Sequence, residues 1–353
     1  MKNSVYWLYR KEFVYLLLII SLSACSGLPI SPTQVGSPNL EPQNNSTSLS
    51  SQGNSVTQIN ITNATSTPGP NLTSTFLATA LSKRTPNSLV TTPSPTQADF
   101  WMSMPVVPTV SQTVRDIYAK GIKLGRDPHA FSKIGDCQSI STYFLSYFDR
   151  EGFYDLGSYS SLKETIDWFA GSFSRDSLAV KGGFNAAAIL SPLRADPKQC
   201  EPDENPIVCE FRLHNPSIAL ISLEEWWAGH PENYEAYMRQ ILEYTIQQGV
   251  VPIIATKADN LEGNQLINQT IARLAMEYDV PLWNFWRAVQ SLPNHGLIQY
   301  DSSGETDMFH LTHSRGYYYY NDPNTAQSGW STRNLTALQA LDAVRRGLSE
   351  QQE

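Results

Sequence analysis

The chain has 353 residues, of which 41% are hydrophobic and 16% are charged, and its formal net charge at pH 7 is −8. Residues 1–99 hold five of its 25 basic and three of its 33 acidic side chains, so residues 100–353 carry 20 basic and 30 acidic ones. A domain with this excess of negative charge repels phosphate backbones, which argues against nucleic acid as a partner. About 250 residues are enough for one large domain with a full core.

Residues 1–24 are predicted to be a signal peptide. Three basic side chains near the start are followed by an apolar run, FVYLLLIISL, at residues 13–22. The run is too short to span a membrane comfortably. It ends in Leu22-Ser23-Ala24-Cys25, which resembles the lipobox of bacterial lipoproteins, whose cysteine becomes the lipidated first residue of the mature chain. An ordinary signal peptide or an uncleaved anchor is the alternative. We expect a lipid on Cys25 to anchor the protein at the cell membrane, outside the cytoplasm.

Residues 25–100 are rich in Ser, Thr, Asn and Pro and contain only four charged side chains. Such a segment cannot bury enough apolar surface to offset the entropy lost on ordering. We therefore predict a disordered stalk between the lipid anchor and a folded domain at residues 101–353.

The cysteines of the folded part divide into a pair and a single residue. Cys200 and Cys209 bracket a short Pro-containing loop, CEPDENPIVC, and we expect them to form a local disulfide in an oxidising compartment. Cys137 is then left without a partner. No Cys or His spacing is typical of a zinc site, so we expect neither a metal nor another cofactor.

Apolar strands alternate with amphipathic helices along residues 217–346. The strands are predicted at residues 217–223, 250–256 and 280–285, and the helices at residues 233–248, 264–278 and 334–346. Near-continuous apolar strands in alternation with helices are typical of a parallel sheet with helices on both faces. The sequence therefore predicts the α/β class.

The most informative stretch is Phe131–Ser141, which reads FSKIGDCQSIS. Its pattern predicts a buried strand, a tight turn at Gly135 and then a helix. Cys137 would lie at the carboxyl end of the strand, where open α/β sheets bind their ligands. The first amides of a helix would also lower the pKa of its thiol. The alternative is a small cysteine that is simply buried at the end of a strand.

A second stretch, TDMFHLT at residues 306–312, contains Asp307 and His310. At this spacing a carboxylate can hydrogen-bond an imidazole, fix its tautomer and raise its basicity. The alternative is a surface loop with two polar residues. The remaining histidines have no spaced partner and are interpreted as surface or structural residues: His129, His214, His230, His295 and His313.

These blocks, together with KGGFNAAAIL at residues 181–190 and the strand that ends at Leu223, fall in the order and approximate spacing of the SGNH/GDSL hydrolases. The chain resembles this superfamily of esterase and lipase-like enzymes over residues 131–346. The resemblance implies a flavodoxin-like three-layer α/β/α fold with a central parallel sheet.

The resemblance also implies roles for individual residues. Cys137 takes the place of the family's nucleophilic Ser, with His310 as the base and Asp307 as the residue that orients it. The oxyanion-hole Gly falls on Gly183, or less closely on Gly182.

Trp226 takes the place of the oxyanion-hole Asn, in the sequence Glu224-Glu225-Trp226-Trp227. A thiolate beside His is a competent nucleophile for acyl transfer. Losing one oxyanion donor, however, typically costs ~10²–10³ in turnover.

Two functions follow as expectations. The first is a cell-surface hydrolase that acts on an ester or an acetylated glycan through Cys137, His310 and Asp307. The second is a catalytically inactive domain of the same fold that binds a glycan or another ligand. An aromatic loop at residues 317–320 either lines a substrate cleft or packs as a cover.

Overall fold

The computed structural model describes residues 99–223, 233–314 and 318–349. Among these residues, no helix combines the length and apolar character needed to cross a membrane. The predicted signal peptide and nearly all of the predicted stalk lie outside the described residues, and so do Cys25, Glu224, Glu225, Trp226 and Tyr317.

Four parallel strands form one sheet in the order β1-β2-β3-β4. They are β1 (Asp127–Gly135), β2 (Pro216–Ser222), β3 (Val251–Ala255) and β4 (Leu282–Trp283). Every residue of β2, β3 and β4 is buried, which explains their continuous apolar runs. The predicted α/β class with a parallel sheet is confirmed.

Eight α-helices accompany the sheet in the described part of the chain. They are α1 (Gln112–Lys123), α2 (Lys163–Trp168), α3 (Ala186–Ile189), α4 (Pro206–His214), α5 (Asn233–Gln247), α6 (Leu266–Glu277), α7 (Phe285–Val289) and α8 (Gly329–Ser349).

Local capping sets several of the helix boundaries. The Asn284 side chain accepts a hydrogen bond from Arg287 N and so starts α7. This is why the last strand is shorter than the apolar run predicts. The Ser111 side chain caps α1 by accepting from Val114 N.

The segment after Cys137 is not the α-helix that the sequence predicts. It contains two short 3₁₀ helices, Cys137–Ser139 and Ser146–Asp149, separated by an extended Ile140 and by Leu145 at φ +66°. Leu145 N donates to Asn334 Oδ1 at 2.7 Å, and Asn334 Nδ2 donates to the Tyr143 carbonyl at 3.1 Å. Contacts with α8 therefore replace helical hydrogen bonds. The prediction of a regular helix after Cys137 is wrong, since the thiol lies at the start of a three-residue 3₁₀ helix, which is too short to build a helix dipole.

The segment before α1 packs against the residue that follows β4. Asn284 N donates to the Val106 carbonyl at 3.1 Å, and its side-chain amide donates to the Trp101 carbonyl at 2.8 Å. Trp101 is itself buried. Because β4 is the last strand of the sheet, this segment helps to cover an edge that would otherwise expose unpaired backbone groups.

Candidate active site

A tight turn at the end of β1 holds the candidate nucleophile. A Cβ placed at Gly135 would lie 2.1 Å from Ser139 Oγ and 2.7 Å from the Ser222 carbonyl oxygen, so the turn has room only for glycine. Asp136 caps the following 3₁₀ helix, since its carboxylate accepts from Gln138 N at 3.0 Å. Cys137 begins that helix and is 6% exposed. The turn therefore fixes the thiol at the carboxyl end of the strand.

His310 lies on an irregular hairpin at residues 297–311. Leu297 pairs with Leu311 and Tyr300 pairs with Thr306, both in antiparallel fashion. The second arm thus contains two more residues than the first, and Met308 within it has φ +54°. Extra residues of this kind bend a strand and re-aim its side chains, and they are common next to active sites.

The bulge wraps the second arm around the Asp307 carboxylate. Its Oδ1 atom accepts from His310 N at 2.8 Å and from Phe309 N at 3.0 Å, and Oδ2 lies 3.0 Å from His310 Nδ1. Burial raises the pKa of Asp307, but these hydrogen bonds and the imidazole outweigh burial and leave its pKa below the ordinary value. An ionised carboxylate here keeps the proton on Nδ1, so Nε2 is the free acceptor of the imidazole.

The turn after β1 and the hairpin meet at the thiol. Cys137 Sγ lies 3.8 Å from His310 Nε2, within hydrogen-bond range for sulfur. The structure therefore brings the three residues Cys137, His310 and Asp307 into one line. In this line the imidazole can take the proton of the thiol while the carboxylate stabilises the resulting cation.

The turn that contains Gly182 and Gly183 lies beside the thiol. A Cβ at Gly182 would be 3.9 Å from Cys137 Cβ, whereas Gly183 has φ +78° and faces open space. Within the described ranges, neither glycine N–H donates to another residue. Both N–H groups are therefore available to an oxyanion, and the closer glycine is the one that the sequence ranked second. Trp226, the other predicted donor, lies outside the described residues.

Sequence reasoning missed the buried polar residues behind the thiol. Arg333 is buried in α8, donates from Nε to the Gln138 carbonyl at 3.1 Å and from Nη2 to Ser222 Oγ at 2.8 Å. Its guanidinium also lies 5.0–5.3 Å from the ring centroids of Phe144, Trp283 and Phe285. No motif marks this arginine, because its partners come from three distant parts of the chain.

Lys133 is a second buried residue that was missed. Its Nζ donates to Ser141 Oγ at 2.7 Å and to the Phe173 carbonyl at 2.9 Å. Burial is the main cause that lowers the pKa of Lys133 to about 7, and repulsion from Arg175 is the second. The available signal was a single lysine inside the apolar strand FSKIG.

The remaining predicted residues lie away from this line. Cys200 and Cys209 form a disulfide with a Cα–Cα distance of 5.3 Å. Together with Glu204 they are the one cluster of three potential metal ligands within the described part, but their sulfurs are bonded to each other. In the aromatic loop, Tyr318 and Tyr320 are 1% and 9% exposed and pack in the core, while Tyr319 is 38% exposed.

No family model matches the chain, and it matches none of the curated proteins. The family resemblance therefore rests on the sequence blocks at residues 135–137, 181–190 and 307–310. The candidate site rests on the distances that join Cys137, His310 and Asp307.

Proposed function

We propose that this protein is a divergent SGNH/GDSL-type hydrolase that cleaves an ester or acetyl-glycan bond through Cys137, His310 and Asp307. The observation that carries the proposal is the 3.8 Å approach of Cys137 Sγ to His310 Nε2, with Asp307 on the opposite ring nitrogen. A lipid on Cys25 and the stalk of residues 25–100 would hold the domain at the cell membrane, outside the cytoplasm.

The strand order supports a flavodoxin-like fold. Val180 forms a parallel bridge with Gly135 on the side of β1 that faces away from β2. If this bridge is counted as a rudimentary second strand, the order becomes 2-1-3-4-5, which is the flavodoxin-like order. Helices α5 and α6 contact each other and β3, whereas α8 contacts α2, α7 and β4. Two separate helix groups of this kind are what a three-layer arrangement needs.

The first half of the reaction transfers the acyl group to sulfur. Cys137 Sγ attacks the carbonyl carbon of the ester while its proton passes to His310 Nε2. The N–H groups of Gly182 and Gly183, in the turn beside the thiol, could receive the oxyanion. When the carbonyl re-forms, the C–O bond of the ester breaks and the alcohol leaves with the proton from His310. The product on the protein is a thioester of Cys137.

The second half returns the enzyme to its starting state. His310 Nε2 takes a proton from water as the oxygen attacks the thioester carbonyl. The C–S bond then breaks, the acid is released and the thiol regains the proton. In both halves Asp307 keeps Nδ1 protonated and stabilises the imidazolium, which is why its low pKa matters.

The alternative function is ligand binding without turnover. The burial of Cys137, of which 6% is exposed, favours this alternative because an acyl carbonyl must reach the sulfur. The replacement of the family's oxyanion Asn by Trp226 favours it as well. In that case acetylated sugars or esters would bind in the same place, and substitution of the thiol would not weaken binding.

Full-length protein should be tested with p-nitrophenyl acetate and acetylated sugars, alongside iodoacetamide labelling of the Cys137 peptide followed by mass spectrometry. We expect Cys137→Ala to abolish hydrolysis and His310→Ala to slow both hydrolysis and labelling by about 10²-fold or more. Cys137→Ser should retain part of the hydrolysis, since serine is the family's nucleophile. Binding of acetylated sugars without hydrolysis, together with Cys137 labelling that does not depend on His310, would favour the alternative.

A further inference from the structure

Gln138 directly connects the turn that holds Cys137 with the hairpin arm that holds His310. Its side chain is fully buried, and its Nε2 donates to the Phe309 carbonyl at 2.9 Å. Gln138 follows Cys137 in the chain, and Phe309 precedes His310. One hydrogen bond therefore joins the residue next to the nucleophile with the residue next to the base.

The main chain of Gln138 is fixed on both sides. Its N–H donates to the Asp136 carboxylate at 3.0 Å, and its carbonyl accepts from Arg333 Nε at 3.1 Å. Arg333 is in turn bonded to Ser222, the last residue of β2. The side chain of Gln138 thus extends toward the His310 arm from a point that is anchored to both the sheet and α8.

The contacts of Asp307 cannot replace this connection. Its hydrogen bonds go to Phe309 N, His310 N and His310 Nδ1, all of which lie on its own arm. They orient the imidazole within the arm, but they do not fix the arm relative to Cys137. The bulge at Met308, with φ +54°, makes this arm a segment that needs support from outside.

One atom of the Gln138 side-chain amide is unsatisfied. Among the described residues, Gln138 Oε1 is buried and has no hydrogen-bond partner. A methionine here would remove this unsatisfied acceptor, but it would also remove the hydrogen bond to the Phe309 carbonyl, so the two effects on stability oppose each other. Stability alone therefore does not explain a glutamine at this position.

We propose that Gln138 is a positioning residue that sets the distance between His310 and Cys137 by holding the Phe309 carbonyl. The inference rests on the proposed function, since it concerns the same thiol–imidazole pair. Gln138 takes no part in making or breaking bonds, and its role is to connect the Cys137 turn with the His310 arm of the hairpin. Because misplacement by about 1 Å can cost up to ~10²-fold in rate, a single tether of this kind is enough to control reactivity.

The test compares thiol reactivity with stability in the full-length protein. Gln138→Met should slow iodoacetamide labelling of Cys137 at neutral pH by roughly tenfold. The urea midpoint of unfolding should stay close to the wild-type value, because the lost hydrogen bond to Phe309 and the removed unsatisfied Oε1 offset each other. Gln138→Asn keeps the amide but is one methylene too short to reach Phe309, so labelling should slow to a similar extent. A purely structural role would lower reactivity and midpoint together.

Thr165→Val is the matched control, because it removes buried hydrogen bonds to Asp342 and Arg345 between α2 and α8. It should lower the midpoint and leave labelling at the wild-type rate. If Cys137 is labelled at the wild-type rate in both Gln138 variants, the inference fails while the proposed function stands. The same holds if the labelling rate falls only in proportion to the urea midpoint. If labelling of the wild-type protein does not depend on His310, the proposed function fails and the inference fails with it.

Discussion

Cys137 lies two residues after the end of β1, whose last six residues are buried, whereas His310 lies on a hairpin that has no regular strand of its own. On the cysteine side, the position of the thiol follows from the end of β1 and from the close approach of Gly135 to Ser139 and Ser222. On the histidine side, the position of the ring follows from a bulge at Met308 and from side-chain hydrogen bonds. The same site therefore has one half built by the sheet and one half built by a loop.

This difference separates the effects of substitutions. The cysteine half shares its atoms with the core, so a change there should alter the stability of the domain and the site together. Residues 298–310 of the histidine half are half-buried or exposed, so a change there should alter the site more than the stability. Regions that open at low free energy are commonly those with few buried contacts, and binding loops are drawn from them.

The largest effect is expected for Gly135→Ala. The added Cβ would have to displace Ser139 Oγ or the Ser222 carbonyl oxygen, which lie only 2.1 and 2.7 Å from the position that this Cβ would take. Overpacking of this kind costs about 1–3 kcal/mol or more, and the Cys137 turn would move with it. Urea unfolding should show the loss of stability, and labelling of Cys137 should become independent of His310.

Gly182→Ala is the matched control for this change. Its Cβ would meet only Cys137 Cβ, at the ordinary contact distance of 3.9 Å. The unfolding free energy should therefore stay within about 0.5 kcal/mol of wild type. Equal stability of the Gly135 and Gly182 variants would contradict the view that the sheet builds the cysteine half.

A smaller loss of stability but a clear loss of reactivity is expected for Thr312→Val. Thr312 Oγ1 donates to the Gly296 carbonyl at 3.0 Å and accepts from Gly329 N at 2.8 Å, so it joins the base of the hairpin to the start of α8. Loss of these bonds should cost about 1–2 kcal/mol in unfolding free energy. His310 lies two residues away, and labelling of Cys137 should slow roughly tenfold.

Thr245→Val provides the comparison for Thr312. Thr245 is buried, and its hydroxyl donates to the Ile241 carbonyl at 2.7 Å within α5. Unfolding by urea should show a smaller loss, because only one hydrogen bond is removed, while the labelling rate of Cys137 stays at the wild-type value. If the two threonine variants slow labelling to the same extent, the hairpin is not the sensitive half of the site.

The sequence predicted the sheet-built half far better than the loop-built half. Strands such as β2 and β3 are buried throughout, and their apolar runs therefore identify them without tertiary information. The Gly at the end of β1 could be recognised because close packing leaves a visible residue type. The helix after Cys137 could not be judged correctly, since its backbone groups bond to Asn334, about 190 residues away.

In the sequence, only Asp307 and His310 indicate the loop-built half of the site. Asp307 and His310 were found because their spacing allows a local hydrogen bond, and the structure places Nδ1 3.0 Å from the carboxylate. The tether from Gln138 to Phe309 and the anchor at Thr312 join residues that are distant in the chain. Polar contacts of this type have no period, so sequence patterns do not predict them.

The smallest effect at neutral pH is expected for Lys133→Met, which tests whether a charge in the sheet-built half acts on stability rather than on the site. Lys133 has a pKa of about 7 in the folded protein, below its unfolded value of 10.5. Between these two pH values the unfolded chain binds more protons, so the unfolding free energy of wild type should rise with pH. Methionine should remove this rise.

At neutral pH the unfolding free energy of Lys133→Met should lie within about 1 kcal/mol of wild type. The variant loses the hydrogen bonds to Ser141 and Phe173, but it no longer has to bury an amine, and these two effects offset each other. Urea unfolding from about pH 6 to pH 10 measures the difference in slope. Lys123→Met, at an exposed position in α1, should keep the wild-type slope. Neither Lys133 hydrogen bond involves Cys137 or His310, so labelling of the thiol should be unchanged. A slower labelling rate in Lys133→Met would show that the strand controls the site as well as the fold.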